Sequence, residues 1–321
     1  MRIFFKKVLY IVLMMFIISV ISFAAIHAAP NSFFASGELN PNITKESIEH
    51  LKEVYGLDKP LAIQYISWVW AIIHLDFGVS FASGEPVKTE ILSHIGITLL
   101  MNFISIIFVF LLSIYFGIKA AFKQNTLFDK SIKQFALVSY AMPSFYLALL
   151  LVSFFSVYLK WLPISGLHSI DPKTGIWWYF DFAWHLLLPI FVMIFGGVGT
   201  LSMYVRSLSL EILKSDYIYF AKSRGIDDKI IFKRFIIPNL YPPIVTILGL
   251  SIPGMIGGSV ILESIFSING MGLLFFQSAM SRDYPVIMGI LIISTFLTLF
   301  GNIVADLILL KLNPHFARAK Q

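Results

Sequence analysis

The sequence contains no cysteine, which leaves no disulfide framework, no thiolate metal ligand and no thiol nucleophile. Charge is scarce. Asp, Glu, Lys and Arg make up 13% of the 321 residues, roughly half of the ~25% found in soluble domains. Hydrophobic residues make up 58% and mean hydropathy is +0.83. A soluble enzyme of this length could not hide so much apolar surface, and a disordered chain needs the opposite balance. Length alone suggests two soluble domains, but composition overrides it. The long apolar runs hold almost no charge, since Arg206, Glu263 and Asp306 stand only at their edges. Proton-driven carriers keep an Asp, Glu or His relay inside the membrane. That scarcity speaks against a secondary transporter and against an intramembrane protease. Energy for any transport must then enter from another subunit.

What remains is an all-α polytopic membrane protein. A helix needs about 20 mostly apolar residues to cross the hydrocarbon core. Six runs qualify: 8–28, 95–118, 134–158, 185–205, 241–262 and 286–310. None shows the alternation of a barrel strand. The first follows Arg2, Lys6 and Lys7, but outruns the roughly 7–15 apolar residues of a signal peptide; an uncleaved anchor is expected. With the N-terminus inside, 17 of the 24 Lys and Arg fall in the inside segments 1–7, 119–133, 206–240 and 311–321. Acidic residues lean outward, 12 of 18. The positive-inside rule then predicts that both termini are cytoplasmic, and the basic net charge of +6 needs no nucleic-acid partner.

The predicted organisation is an N-terminal span (1–28), an extracytoplasmic helical segment (29–94), a core of five spans (95–310) and a cytoplasmic tail (311–321). In the outer segment Thr44 can cap a helix, Glu46 suits its first turn, and Ile48, Leu51 and Tyr55 share a face before Gly56. A second amphipathic piece, 60–75, carries Tyr65, Trp68 and Trp70. It reads either as an interfacial aromatic belt or as a docking surface for an external partner. The outer loop 263–285 has a turn at Asn269-Gly270 and a polar corner at Arg282-Asp283. Its apolar middle, 271–276, is too short to span, so the loop either covers a pore mouth or connects two helices.

The inside loop 206–240 is the most informative segment. Asp216 is placed to cap a short helix, 217–224, whose last turn holds Lys222 and Arg224, where cations suit the helix dipole. Gly225 can supply the left-handed turn of a Schellman end. Asp227 or Asp228 can cap a second, basic helix, and Pro238 is expected to close the loop. The alternative is a loop lying on anionic lipid, which would not need a defined glycine corner.

These residues carry a family resemblance. Asp216-Tyr217-Ile218, then Ala221-Lys222-Ser223-Arg224-Gly225-Ile226, then Phe235-Ile236-Ile237-Pro238, is similar to the cytoplasmic signature of permease subunits of ABC-type peptide and nickel importers. That signature runs Glu-Ala-Ala, three residues, Gly, nine residues, Ile-x-Leu-Pro. The chain departs from it at Tyr219 and Phe220, where Glu and Ala would stand. Glu263, Asn269, Gly270, Gly272, Arg282, Asp283 and Pro285 resemble the family's outer-loop pattern. The resemblance implies a permease in the bacterial inner membrane that pairs with a second, homologous permease. It further implies two cytoplasmic ATP-binding subunits, which would hold ATP and Mg²⁺, and an extracytoplasmic solute-binding protein. This chain would hold no cofactor or metal and catalyse nothing; it has no Gly-x-x-x-x-Gly-Lys phosphate loop. Residues 217–224 would be the helix received by the ATPase.

Two patches, 74–82 and 155–163, resemble nickel permeases, and nickel or a nickel chelate is the expected cargo, with a di- or oligopeptide as the alternative. Six of the seven His fall outside or at the outer edge of the predicted map. Imidazole suits Ni²⁺, yet no pair of them has ligand spacing on one helix face. An ATP-independent transporter or channel is the remaining class.

Overall fold

The computed structural model describes residues 2–28, 59–171, 173–255 and 259–312. Their regular elements are helices, with one isolated antiparallel bridge, Val79 to Pro86, among the described residues. Helical structure follows from the solvent: in lipid every backbone polar group must be satisfied within its own segment. In order come α1 (Arg2–Ala28), α2 (Leu61–Ile73), α3 (Val87–Phe122), α4 (Leu127–Ala141) and α5 (Ser144–Leu151), which continues as π-helical turns Val152–Tyr158. Then come α6 (Ile176–Leu213), α7 (Asp216–Ser223) and α8 (Asp228–Ile231); the last runs through a π-helical turn, Phe232–Ile236, into α9 (Ile237–Ser251). A 3-10 turn (Pro253–Met255), α10 (Val260–Ile265), α11 (Met271–Ser281) and α12 (Tyr284–Leu312) complete the described chain.

Among the described residues, four helical stretches are long and apolar enough to cross a membrane: Val87–Phe122, Ile176–Leu213, Asp228–Ser251 and Tyr284–Val304. Leu9–Ala24 within α1 is a shorter apolar stretch. The expected span 134–158 is not one straight helix. α4 and the helix beginning at Ser144 meet at a 100° bend. The cause is Pro143, which forces Met142 out of the helical region to ψ 118°. The expected span 241–262 is shifted: the helix starts at Asp228 and ends at Ser251. Pro238, expected to close the preceding loop, sits inside that helix. The π-helical turn before it directs the Ile237 N–H to the Phe232 carbonyl, and a widened turn accommodates a residue that has no N–H to give. The helix expected from Thr44 lies outside the described residues, as does the tail from 313 onward.

The chain forms two compact units. The first comprises Met1–Thr98, Ile256–Val260 and Asn269–Phe300. In it α2 lies along α1 through a Tyr65–Ser19 hydroxyl contact at 2.8 Å, with Phe23 against the Tyr65 and Trp68 rings. Its apolar core gathers Val87, Ile91, Met271, Leu274, Val286 and Ile290. The second comprises Leu99–Met255, Ile261–Ile268 and Gly301–Gln321. There α6 is the central rod. A Cβ on Gly117 of α3 would meet the Ser202 carbonyl oxygen and the Val205 side chain, both at 2.7 Å. One on Gly199 of α6 would clash with Ser139 of α4. Ser139 donates to the Phe195 carbonyl at 2.6 Å. Small residues that let backbones approach are how membrane helices pack without a hydrophobic driving force.

Candidate functional site

The hairpin from α6 to α9 lies wholly in the second unit. α6 ends at Leu213 with Lys214 as its C-cap, and Ser215, not Asp216, is the cap position of α7; Asp216 is the first helical residue of α7. It still meets the positive end of the helix dipole. No side-chain cap bond forms at Ser215, whose hydroxyl donates instead to the Ile212 carbonyl at 2.6 Å. α7 has two distinct faces. Ile218 (0% exposed) is buried in a cluster with Ile118, Leu201, Val205, Ile231, Ile236 and Leu240, and Ala221 on the same helix is also buried. Tyr217, Tyr219 and Phe220 point outward, the last two 68% and 63% exposed. Large aromatic side chains left in water on a helix whose other face is fixed are the composition of a protein-binding hot spot.

The corner after α7 is well defined. Gly225 has φ +75°. Its N–H donates to the Lys222 carbonyl at 2.9 Å, and the Ile226 N–H donates to the Ala221 carbonyl at 3.2 Å. These are the two hydrogen bonds of a Schellman motif, and Ile226 packs into the cluster as that motif's apolar contact. Asp227 holds the cap position of α8 by its backbone, with the Ile230 and Ile231 N–H groups bonded to its carbonyl. Lys222 and Asp228 form an exposed ion pair at 3.5 Å across the corner, a minor contribution for a solvated pair. The Tyr217 and Phe235 rings stack at 6.1 Å, joining the two arms. Asp216, Tyr217, Ala221, Lys222, Ser223, Arg224, Gly225 and Ile226 are thus on one rigid element, while Pro238 lies farther along, on α9.

Beside the hairpin is a clamp that sequence reasoning missed. The Arg206 guanidinium on α6 grips Asp129 on α4 through two bonds, Nε to Oδ1 at 2.5 Å and Nη2 to Oδ2 at 2.9 Å. Asp129 is fully buried and also accepts the Asn125 N–H at 2.9 Å and Lys133 Nζ at 3.0 Å. Bidentate, charge-assisted pairing of this kind fixes geometry as well as contributing energy. Arg206 was legible only as a charge at the edge of an apolar run. A lone cation there needs a buried partner, and Asp129, in the inside segment just before another run, was the available signal.

The outer-loop residues divide between the two units. In the first, Arg282 takes a left-handed conformation (φ +57°) to end α11. Asp283 is buried and accepts the Ser80 hydroxyl at 2.5 Å and the Phe81 and Ala82 N–H groups at 3.2 and 3.1 Å. Gly270 and Gly272 lie buried at the start of α11, where Thr98 Oγ1 accepts the Met271 N–H at 2.9 Å. Pro285 is buried in the first turn of α12, and Asn269 is exposed. Glu263, on α10, belongs to the second unit; it is buried and its carbonyl accepts the Ile268 N–H at 2.9 Å.

Among the described residues, the histidines do not form a nickel site. His168 and His185 approach Asp181 at 3.4 and 3.6 Å. That carboxylate, however, accepts the Ser169 N–H and hydroxyl at 2.8 and 2.6 Å, and His168 stacks on Phe182. This is a loop fastening. Among the described residues, no group of three His, Asp or Glu is placed to hold a metal ion.

Comparison with known proteins follows the same lines. The family model described as binding-protein-dependent transport system inner membrane component matches residues 113–318, and its N-terminal companion matches residues 1–102. The chain is 36% identical over 299 residues to the oligopeptide transport system permease protein AppB of Bacillus subtilis (strain 168), covering 92% of this chain and 93% of that one. It is 29% identical over 306 residues to a putative peptide transport system permease protein of Brucella abortus (strain 2308), covering 94% and 95%. A putative peptide permease protein of Brucella ovis is 33% identical over 279 residues, 86% of each chain.

Proposed function

We propose, from the premise that this chain belongs to the binding-protein-dependent transport system inner membrane components, that it is the permease subunit of an ATP-driven importer of peptides. The observation that carries the mechanism is the hairpin: an aromatic helix held to the spans by buried Ile218 and Ala221, and turned by a left-handed Gly225. In this reading the hairpin faces the cytoplasm with both termini, as the distribution of Lys and Arg favours. The exposed face of α7 docks on an ATP-binding subunit, which holds ATP and Mg²⁺. A second, homologous permease completes the pathway, and a solute-binding protein delivers cargo at the outer face. Closure of the ATPases moves α7, and its stiff connections pass that movement to α6 and α9 as a rigid-body shift.

A peptide cargo replaces the nickel expectation. The relatives named above are described as peptide or oligopeptide permeases, and the two patches that suggested nickel build no ligand cluster. The test is uptake of a radiolabelled oligopeptide and of ⁶³Ni²⁺ in a deletion strain and its complemented parent. Loss of peptide uptake with unchanged nickel uptake supports the proposal. Loss of nickel uptake with peptide uptake intact would overturn the cargo and leave the importer reading. Failure of α7 variants to alter copurification with an ATPase would instead overturn the coupling role.

A further inference from the structure

A groove in the second unit lies beside the hairpin. It has a volume of about 990 Å³ and runs between the end of α3 and the start of the helix from Asp228. Leu111, Ile114, Ile118 and Phe122 of α3 recur at helical spacing and form one apolar wall; Ile230 and Ile237 form the other. Leu111 is 61% exposed. The charged part of the lining is cationic: Lys119, Lys229, Lys233 and Arg234, against one carboxylate, Asp228. Asp228 is engaged by Lys222 at 3.5 Å. Lys119 is held in place by the Tyr115 hydroxyl at 2.9 Å and the Phe128 ring at 4.8 Å. Among the described residues, Lys229, Lys233 and Arg234 make no ion pair.

We propose that this groove binds one anionic phospholipid, with an acyl chain along the α3 wall and its phosphate among Lys229, Lys233 and Arg234. Charge complementarity selects the occupant. The apolar walls offer nothing to a free anion, and the cationic side chains disfavour a lipid that brings its own cation. The groove lies where two apolar helices reach the membrane surface, the depth at which headgroup meets acyl chain, and basic pockets between spans at that level are suited to anionic headgroups. The reading requires only that α3 and α9 cross a bilayer, and is independent of the cargo.

The test is native mass spectrometry of the full chain, purified with the subunits that accompany it, after titration with dioleoyl-phosphatidylglycerol or dioleoyl-phosphatidylcholine. Wild type is expected to retain phosphatidylglycerol preferentially. K229Q/K233Q/R234Q should lower that preference by roughly tenfold or more, given what each basic side chain contributes at an anionic surface. Leu111→Trp, which fills the apolar wall and leaves the cations, should lose both lipids; it tests the groove even where the triple variant does not assemble. Equal retention of the two lipids by wild type would overturn the proposal. So would displacement by water-soluble glycerophosphoglycerol at the concentration effective for the lipid. A photoreactive side chain at position 111 that captures a polypeptide in place of a lipid would also overturn it.

Discussion

Replacing Gly225 separates the geometry of the corner from its bulk. An added Cβ there meets nothing within 4 Å, so the cost of a side chain is torsional alone. At φ +75° an ordinary L-residue loses about 1–2 kcal/mol, while Asn tolerates the left-handed region better. Proline is worse: it fixes φ near −65° and deletes an N–H, a penalty of about 3 kcal/mol or more in a regular helix. Here that N–H is the one bonded to the Lys222 carbonyl at 2.9 Å. Because Ile218 and Ala221 keep α7 seated, the strain should appear as a misdirected exit and not as loss of the fold. Uptake and ATPase stimulation in proteoliposomes should therefore rank glycine, asparagine, alanine, proline, with Gly225→Ala impaired several-fold and Gly225→Pro uncoupled. A proline variant with both activities intact would refute the coupling assignment. An asparagine variant no better than alanine would refute the torsional argument while leaving the assignment standing.

Other expectations follow from neighbouring residues. Asp129→Leu strands the Arg206 guanidinium in a buried site and should cost about 3–5 kcal/mol, read as a lower thermal transition in detergent; adding Arg206→Met should recover much of that loss. Tyr219→Ala with Phe220→Ala removes only exposed rings; stability should change by less than about 0.5 kcal/mol per site. Affinity for the ATP-binding subunit, measured by pull-down titration, should fall at least tenfold, roughly the effect of losing one hot-spot aromatic. Asp283→Asn weakens three hydrogen bonds from the 80–82 segment. Bonds to a charged acceptor contribute about 1.5–3 kcal/mol each, so hydrogen exchange at Phe81 and Ala82 should accelerate markedly.

Local chemistry made the hairpin legible. Gly225 after two basic residues, and acidic residues before each arm, are punctuation that acts within a few positions. The broken span was not legible in the same way. Composition over 134–158 satisfies a hydropathy window, and the window ignores that Pro143 denies Met142 a helical conformation. Pro238 misled in the opposite direction. Proline ends helices often enough to mark a boundary, yet the π-helical turn over Phe232–Ile236 absorbs it here, a device that depends on backbone geometry and has no residue signature. The ion pair of Arg206 and Asp129 spans 77 positions, and the bond between Asp283 and Ser80 spans 203. Such pairs are set by how helices lie side by side, which periodicity along one chain does not encode. The groove at Leu111 and Ile114 was invisible for the same reason: its second wall comes from another helix.

In the proposed coupling, transmission through the hairpin is a matter of where the chain is stiff. From Ile176 to Ser251 the backbone leaves helical structure only at Lys214–Ser215 and at Arg224–Asp227. The first break is closed by the Ser215 hydroxyl on the Ile212 carbonyl. The second is closed by the paired bonds of the Gly225 corner. Nearby, Arg206 pins α6 to α4. A push on the exposed face of α7 therefore has no slack linker to take it up. The weakest stretch beyond the corner is the π-helical turn followed by Pro238, Pro242 and Pro243, where hydrogen-bond geometry is poorer and three N–H donors are missing. Bending there would let the start of the helix from Asp228 follow α7 while the rest of α9 keeps its packing. Under the proposed coupling, stiffness thus sits at the corner that would receive force, and compliance at the entry to the span that would respond to it.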